Sequence, residues 1–167
     1  METTQKKEKE KTLTIRRAET SDKSKIMTLA SLDHAESIFG DLTFSEKKFS
    51  TQFDKSLTQP ERCITLKAEI KGEIVGFLYC TLGEYFIAED NVQANVHVVY
   101  VNENIRKSLL GGKVAVKLVK AITKWAKAQG AQHVFFYVTS GTRIAQTDAF
   151  FRKMGLTTLG GNYAVRV

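Results

Sequence analysis

The sequence predicts an α+β domain in which one mixed sheet carries helices on both faces, and three observations predict it. Runs rich in β-branched and aromatic residues alternate with segments of helical apolar spacing in the order β-α-α-β-β-β-α-β-α-β-β. One strand–helix–strand passage, over residues 92–138, reads as a right-handed crossover, which makes its two strands parallel. Short turns join most of the other strands in hairpins, so the sheet is mixed, with six to seven strands in a three-layer arrangement.

Residues 1–11 alternate lysine with glutamate and lack apolar anchors, so they read as a frayed tail ahead of one domain over 12–167. Residues 12–18 set Leu13, Ile15 and Arg17 against Thr14 and Arg16, a short strand. Ser21 and Asp22 are capping types ahead of Ile26, Leu29, Ala30 and Leu32, which predicts a helix to about Ser37. Ser45 caps a second helix carrying Phe49, Phe53 and Leu57, and Pro60 must stop it. Residues 63–70 and 74–82 are β-rich runs around Lys71, Gly72 and Glu73, a hairpin signature. Residues 92–101 form a third such run. Val114, Leu118, Ile122 and Trp125 then line one face of a helix that Gly130 ends. Residues 133–138 read as a doubly buried strand, 144–154 as a helix closed by Gly155, and 156–159 with 163–167 as a last hairpin.

At 167 residues the chain suits one domain. No apolar run approaches the roughly 20 residues of a membrane-spanning helix. The first residues lack the apolar stretch of a signal peptide, so the expected location is cytoplasmic. Cys63 and Cys80 sit in apolar alternating segments and read as buried fillers; they make no disulfide framework or metal spacing, and no metal is expected. The net charge of +7 comes from the body of the chain, notably Arg106, Lys107, Lys113, Lys117, Lys120, Lys124 and Lys127. A basic surface attracts anions, and both nucleic acid and a phosphorylated cofactor qualify.

The passage from Val101 to Val114 carries most of the chemistry. A strand ends, a basic loop follows, Gly111 and Gly112 appear, and a helix begins with no acid in its first turn. Unpaired N–H groups and the positive end of the helix dipole make such a junction an anion site. The two glycines remove side chains where a phosphate would approach the backbone. An ordinary strand-to-helix turn with a solvated basic patch has the same features.

Arg106, Lys107, Ser108, Leu109, Leu110 and Gly111 resemble the Q/R-x-x-G-x-G/A signature of the GNAT superfamily of N-acetyltransferases, with Leu109 standing where the first glycine belongs. The stretch from Trp125 to Ala131 and the stretch from Phe150 to Leu156 also fall where that family's patterns lie. The resemblance covers residues 12–167. It implies a GNAT-like fold and an acetyl-CoA site, with the pyrophosphate on the backbone of residues 106–112, Gly112 included. The pantetheine arm would pair with the strand at Val99, Tyr100 and Val101 and reach toward Ser140 and Phe151. The implied reaction is direct attack of an amine on the thioester in a ternary complex, which needs no nucleophilic cysteine.

Direct attack requires an unprotonated amine, because an alkylammonium titrates near ~10. Strand alternation puts Asn95, His97, Val99 and Val101 on one face, where the family carries its base. Asn95 cannot take a proton, so His97 is the candidate base, with Glu84 and Glu89 as equal runners-up. A backbone N–H near Val99 would serve the oxyanion. Phe151 stands where the family offers a tyrosine to protonate the thiolate, leaving water, Tyr137, Ser140 or Thr147. His34, Glu36 and Asp41 lie between the first two helices, which in the family shape the acceptor pocket, and Phe39, Phe44, Tyr85 and Phe86 could line it. The acceptor would be a small-molecule or peptide amine, and a homodimer is the family-level expectation. A catalytically weak acyl-CoA-binding module is the second reading, and nucleic-acid binding through the lysine-rich helix is the weakest.

Overall fold

The computed structural model describes residues 12–167, so the expected tail lies outside the described residues. Five strands form one sheet in the order β1-β2-β3-β4-β5: Thr14–Arg17, Cys63–Ile70, Glu73–Gly83, Gln93–Val101 and His133–Phe136. Neighbours are antiparallel except β4 and β5, the ends of the crossover, which are parallel. The helices are α1 (Lys23–Glu36), α2 (Glu46–Thr58), the short α3 (Glu103–Arg106), α4 (Leu109–Ala128) and α5 (Ile144–Lys153).

Local chemistry fixes several boundaries. Ser45 caps α2 by accepting the Lys48 N–H at 3.2 Å, and the helix ends at Thr58, two residues before Pro60. Ile70 pairs with Glu73 across a turn in which Lys71 and Gly72 both have positive φ, 53° and 81°. That is the backbone a two-residue hairpin loop demands. Ser108 caps α4 by accepting the Gly111 N–H. The helix therefore begins at Leu109 and includes both glycines, which the sequence reading left in the loop.

Two apolar layers hold the sheet. On one face the fully buried Val114, Leu118, Ile122 and Ala126 of α4 pack on Leu66, Leu78, Cys80, Ala94 and Val96. Burying the three larger side chains contributes about 1.5–3 kcal/mol each. That outweighs the roughly 2 kcal/mol that two glycines cost in the first turn of the helix. On the other face Ile26 and Leu29 of α1 and Phe53 of α2 cover Ile74, Phe77 and Tyr100. Cys63 and Cys80 are buried, and burial pushes the Cys80 thiol up to about 12, so neither thiol is poised as a nucleophile.

The last hairpin does not form. Residues after α5 contain no strand, and Leu159, Tyr163, Val165 and Val167 are at least three-quarters exposed. Two short arms around Gly160 and Gly161 bury too little to stand alone, since an isolated hairpin is marginal in water. The sheet thus has five strands rather than six or seven. As its edge strand, β5 is only partly buried, not buried on both faces as expected.

Candidate functional site

Strand β4 does not keep one alternation along its length. Cys80 pairs with Val96 and Tyr79 with Val98, so His97 is an extra residue in the ladder. Before and after this bulge, Ala94, Val96, Val99 and Val101 face α4, whereas Val98 and Tyr100 face α1 and α2. His97 lies on the latter side, with Nε2 2.8 Å from the Thr81 hydroxyl and its ring between those of Tyr79 and Tyr137. The four-residue face expected from strict alternation is therefore divided between the two sides.

At the same point β4 loses its other neighbour. The parallel ladder ends with Val96 opposite Phe136, the Tyr137 N–H still donates to the Val96 carbonyl, and the chain then turns away as residues 137–142. The gap opens into a cavity of about 730 Å³. Its walls include His97, Val99, Tyr100 and Val101 from β4, Gly111, Gly112 and Ala115 from α4, and Phe136, Ser140, Thr147 and Phe151 from the far side.

The first turn of α4 forms one end of this cavity. Ser108 Oγ takes the Gly111 N–H, and the Gly112 N–H bonds the Ser108 carbonyl. The Leu109 and Leu110 N–H groups have no acceptor among the described residues, as expected at a helix start. The two glycines have different causes. A side chain at residue 111 would collide with the Ile105 carbonyl and Arg106, so that glycine lets two turns of backbone pack together. A side chain at Gly112 would meet nothing within 4 Å, so that position leaves open space beside the helix start. Leu109 is 90% exposed, and Ser108, Leu109 and Leu110 are not among the residues that line the cavity.

Arg106 lines the cavity, but its guanidinium is occupied. It gives Nη1 and Nη2 to Glu36 at 2.6 and 3.2 Å and Nε to the Val101 carbonyl at 2.8 Å, and it stacks over Tyr100. The Tyr100 hydroxyl donates to Glu36 at 2.9 Å, as does Arg143. One carboxylate thus ties α1 to β4, to α3 and to the turn before α5. Burial pushes the Glu36 carboxyl up, but the bonds from Arg106 and Tyr100 prevail and hold it below its usual range. Burial and the Glu36 bond push the Tyr100 phenol up to about 12.

Asp33, one turn back on α1, also lines the cavity, and the sequence reading missed it. Burial, then the charge of Glu36, push its carboxyl up to about 6 despite the opposing charges of Arg106 and His34. His34 lines the same cavity and holds the Leu42 carbonyl through Nε2 at 2.8 Å. Partial burial keeps the His97 imidazole below its ordinary value, and its Nδ1 has no partner among the described residues. Glu84 and Glu89 stand on the exposed segment between β3 and β4 and do not line the cavity. Of the alternative proton donors, Tyr137 donates to Asn95 at 3.0 Å, while the Thr147 hydroxyl has no partner among the described residues. No cluster of three or more His, Cys, Asp or Glu side chains able to hold a metal occurs among the described residues. No described helix is long and apolar enough to cross a membrane.

Comparison with known proteins bears on the family and the fold. A family model described as the acetyltransferase (GNAT) family matches residues 27–156. No curated protein matches the chain. Among solved structures, glucosamine-6-phosphate N-acetyltransferase from Arabidopsis thaliana superposes with a TM-score of 0.71 at 18% identity, over 93% of this chain and 99% of that one. A predicted acetyltransferase with acetyl-CoA from Clostridium acetobutylicum gives 0.70 at 13% identity, over 93% and 96%. AAC(6')-Iy in complex with a bisubstrate analog, CoA-S-monomethyl-acetylneamine, gives 0.74 at 12% identity, over 93% and 98%.

Proposed function

The chain belongs to the GNAT acetyltransferase family, and we propose that it transfers an acetyl group from acetyl-CoA to a primary amine of a small molecule or peptide by direct attack in a ternary complex. The observation that carries this reading is the gap between β4 and β5 beyond Val96, which joins the first turn of α4 to His97.

The residues at that gap fit the cofactor. The open amides of Leu109 and Leu110 and the clear space at Gly112 suit a pyrophosphate at the positive end of α4. Lys107 adds a cation beside it, and Ser108 holds the turn in shape. Arg106 contributes as a scaffold, since Glu36 holds its guanidinium. The unpaired edge of β4 at Val99, Tyr100 and Val101 would pair with the amide-bearing arm, and Ser140 and Phe151 would form the opposite wall.

When bound, acetyl-CoA supplies an acyl thioester, an electrophilic carbonyl with a thiolate leaving group. The protein must first take a proton from the acceptor ammonium. With Nε2–H donating to Thr81, His97 presents a free Nδ1 lone pair, and its lowered pKa keeps that nitrogen unprotonated near neutral pH. Glu84 has no such seat and would act only through water. A β4 backbone N–H near Val99 polarises the carbonyl. Thr147, which lines the cavity with its hydroxyl unpartnered among the described residues, would relay the second proton of the attacking nitrogen to the departing sulfur.

The test has two steps. Saturating acetyl-CoA should raise the melting temperature, because a ligand that binds only the native state stabilises it; no shift would refute the reading. His97→Ala should then cut kcat by about a hundredfold or more while acetyl-CoA affinity stays the same. Thiol release that remains at background with every amine, despite a normal shift, would favour an acyl-CoA-binding module instead.

A further inference from the structure

Two acids line the cavity, and their surroundings are opposite. Glu36 is saturated by Arg106, Arg143 and the Tyr100 hydroxyl. Asp33 has no hydrogen bond or ion pair among the described residues. Its oxygens are not sealed in, since no fully enclosed side-chain oxygen or nitrogen among the described residues lacks a partner. The groups facing it are His34 and Glu36 on its own helix, Arg106 from α3 and Tyr100 from β4, with Arg143 reaching Glu36 from the turn before α5.

A carboxylate set in a low-dielectric wall without a directly bonded partner is unfavourable, and a bound cation relieves it. We propose that Asp33 binds the positive charge of the acceptor, so that this cavity takes amines that carry a cation in the ground state, an inference that rests on the acetyl-transfer reading above. The same arrangement disfavours phosphorylated acceptors at this end of the cavity. Glu36 engages both arginines of this wall, and a phosphate placed at Asp33 would face that carboxylate directly. His97, stacked on Tyr137, lines the same cavity and is the group that takes the proton of the reacting nitrogen.

The pH dependence has a definite sign. The Asp33 carboxyl titrates at about 6 in the free protein. Affinity for a cation therefore falls as the pH is lowered through that value and the carboxyl takes up a proton.

The experiment uses the full chain and Asp33→Asn, which keeps the shape and removes the charge, with Asp33→Ser as a second uncharged variant in case the first fails to fold. Spermidine, tyramine and glucosamine are cations near pH 7; aniline is neutral, and glucosamine 6-phosphate adds an anion. Calorimetric binding without cofactor reads Asp33 alone. At least one of the three cations should bind the unaltered protein about tenfold or more tightly than it binds the uncharged variant, and more tightly than aniline or glucosamine 6-phosphate binds. In turnover the loss should fall mainly on KM for the cation, spare aniline, and remove the pH dependence near 6. Equal binding of all three cations by the unaltered protein and the variant, or an equal loss on aniline, overturns the inference. The acetyl-CoA melting shift keeps the readings apart: its absence in the unaltered protein sinks acetyl transfer, while cation binding still decides Asp33.

Discussion

The two ends of α1 both bring an acid into a poorly solvated place, and they do so with opposite results. At its start, Asp22 meets Lys67 of β2 at 2.8 Å, with side chains only 11% and 9% exposed. Asp22 also accepts the Glu19 N–H, and Lys67 reaches Glu69 at 3.3 Å. Burial pushes the Asp22 carboxyl up, but the hydrogen bonds from Lys67 and Glu19 prevail, and its net shift is downward. At the other end Glu36 has more donors than a single pairing needs, and Asp33 has none among the described residues. Charge matched within the chain holds the fold. Charge left unmatched beside a cavity is available to a ligand.

The sharpest way to break that contrast is at the matched end. Lys67→Ala strands the Asp22 carboxylate, and breaking a buried pair on one side costs about 3–5 kcal/mol. Urea unfolding should show that loss, while the folded fraction keeps its acetyl-CoA melting shift. If the loss is under about 1 kcal/mol, the pair behaves as a surface contact.

Asp33→Asn should do the reverse and stabilise the protein. A carboxyl raised from 3.8 to about 6 binds its proton more tightly folded than unfolded. Between those values stability falls as the pH rises, and above them the full cost persists. The shift corresponds to about 3 kcal/mol at most; screening at a part-exposed site reduces the expected gain to about 1–2 kcal/mol. Asp22 has the opposite sign: its lowered carboxyl contributes stability above about 3.8 that is lost as the pH falls through its folded value. An Asp33→Asn gain that vanishes near pH 4 would tie the effect to this one titration, and a loss at neutral pH would contradict it.

The smallest effect belongs to Leu109, the residue that replaces a family glycine. Its side chain points into solvent at the helix start. Leu109→Gly should therefore cost under about 1 kcal/mol and leave acetyl-CoA affinity unchanged. A clear gain in affinity by titration would show that this Cβ does crowd the phosphate end.

Features governed by neighbours in sequence were the legible ones. Lys71 and Gly72 announced their hairpin, Ser45 its cap, and Val114, Leu118 and Ile122 the buried face of α4, because turn chemistry and helical period are local. The frame from Arg106 to Gly111 falls across the helix start, although Gly111 and Gly112 read as loop and lie inside the helix. Long-range pairings were not legible. Nothing near Glu36 announces Arg106, 70 positions on, or Arg143, 107 positions on. Asp33 looks like any acid on a helix until the cavity is seen beside it. The apolar residues at 156–167 suggested strands, but a strand needs a partner as well as a pattern.

The bulge at His97 has one more consequence, for which lengths of chain evolution can tolerate. Strand β4 is two half-strands out of phase by a single residue, so its core and its site share one backbone without sharing one rhythm. Most point substitutions leave that phase alone. Deleting residue 97 would keep Cys80 opposite Val96 and Tyr79 opposite Val98, so the ladder would run unbroken and Val99 and Val101 would still face α4. At this position the chain can lose a residue without exchanging its core for its surface, and what it loses is the imidazole.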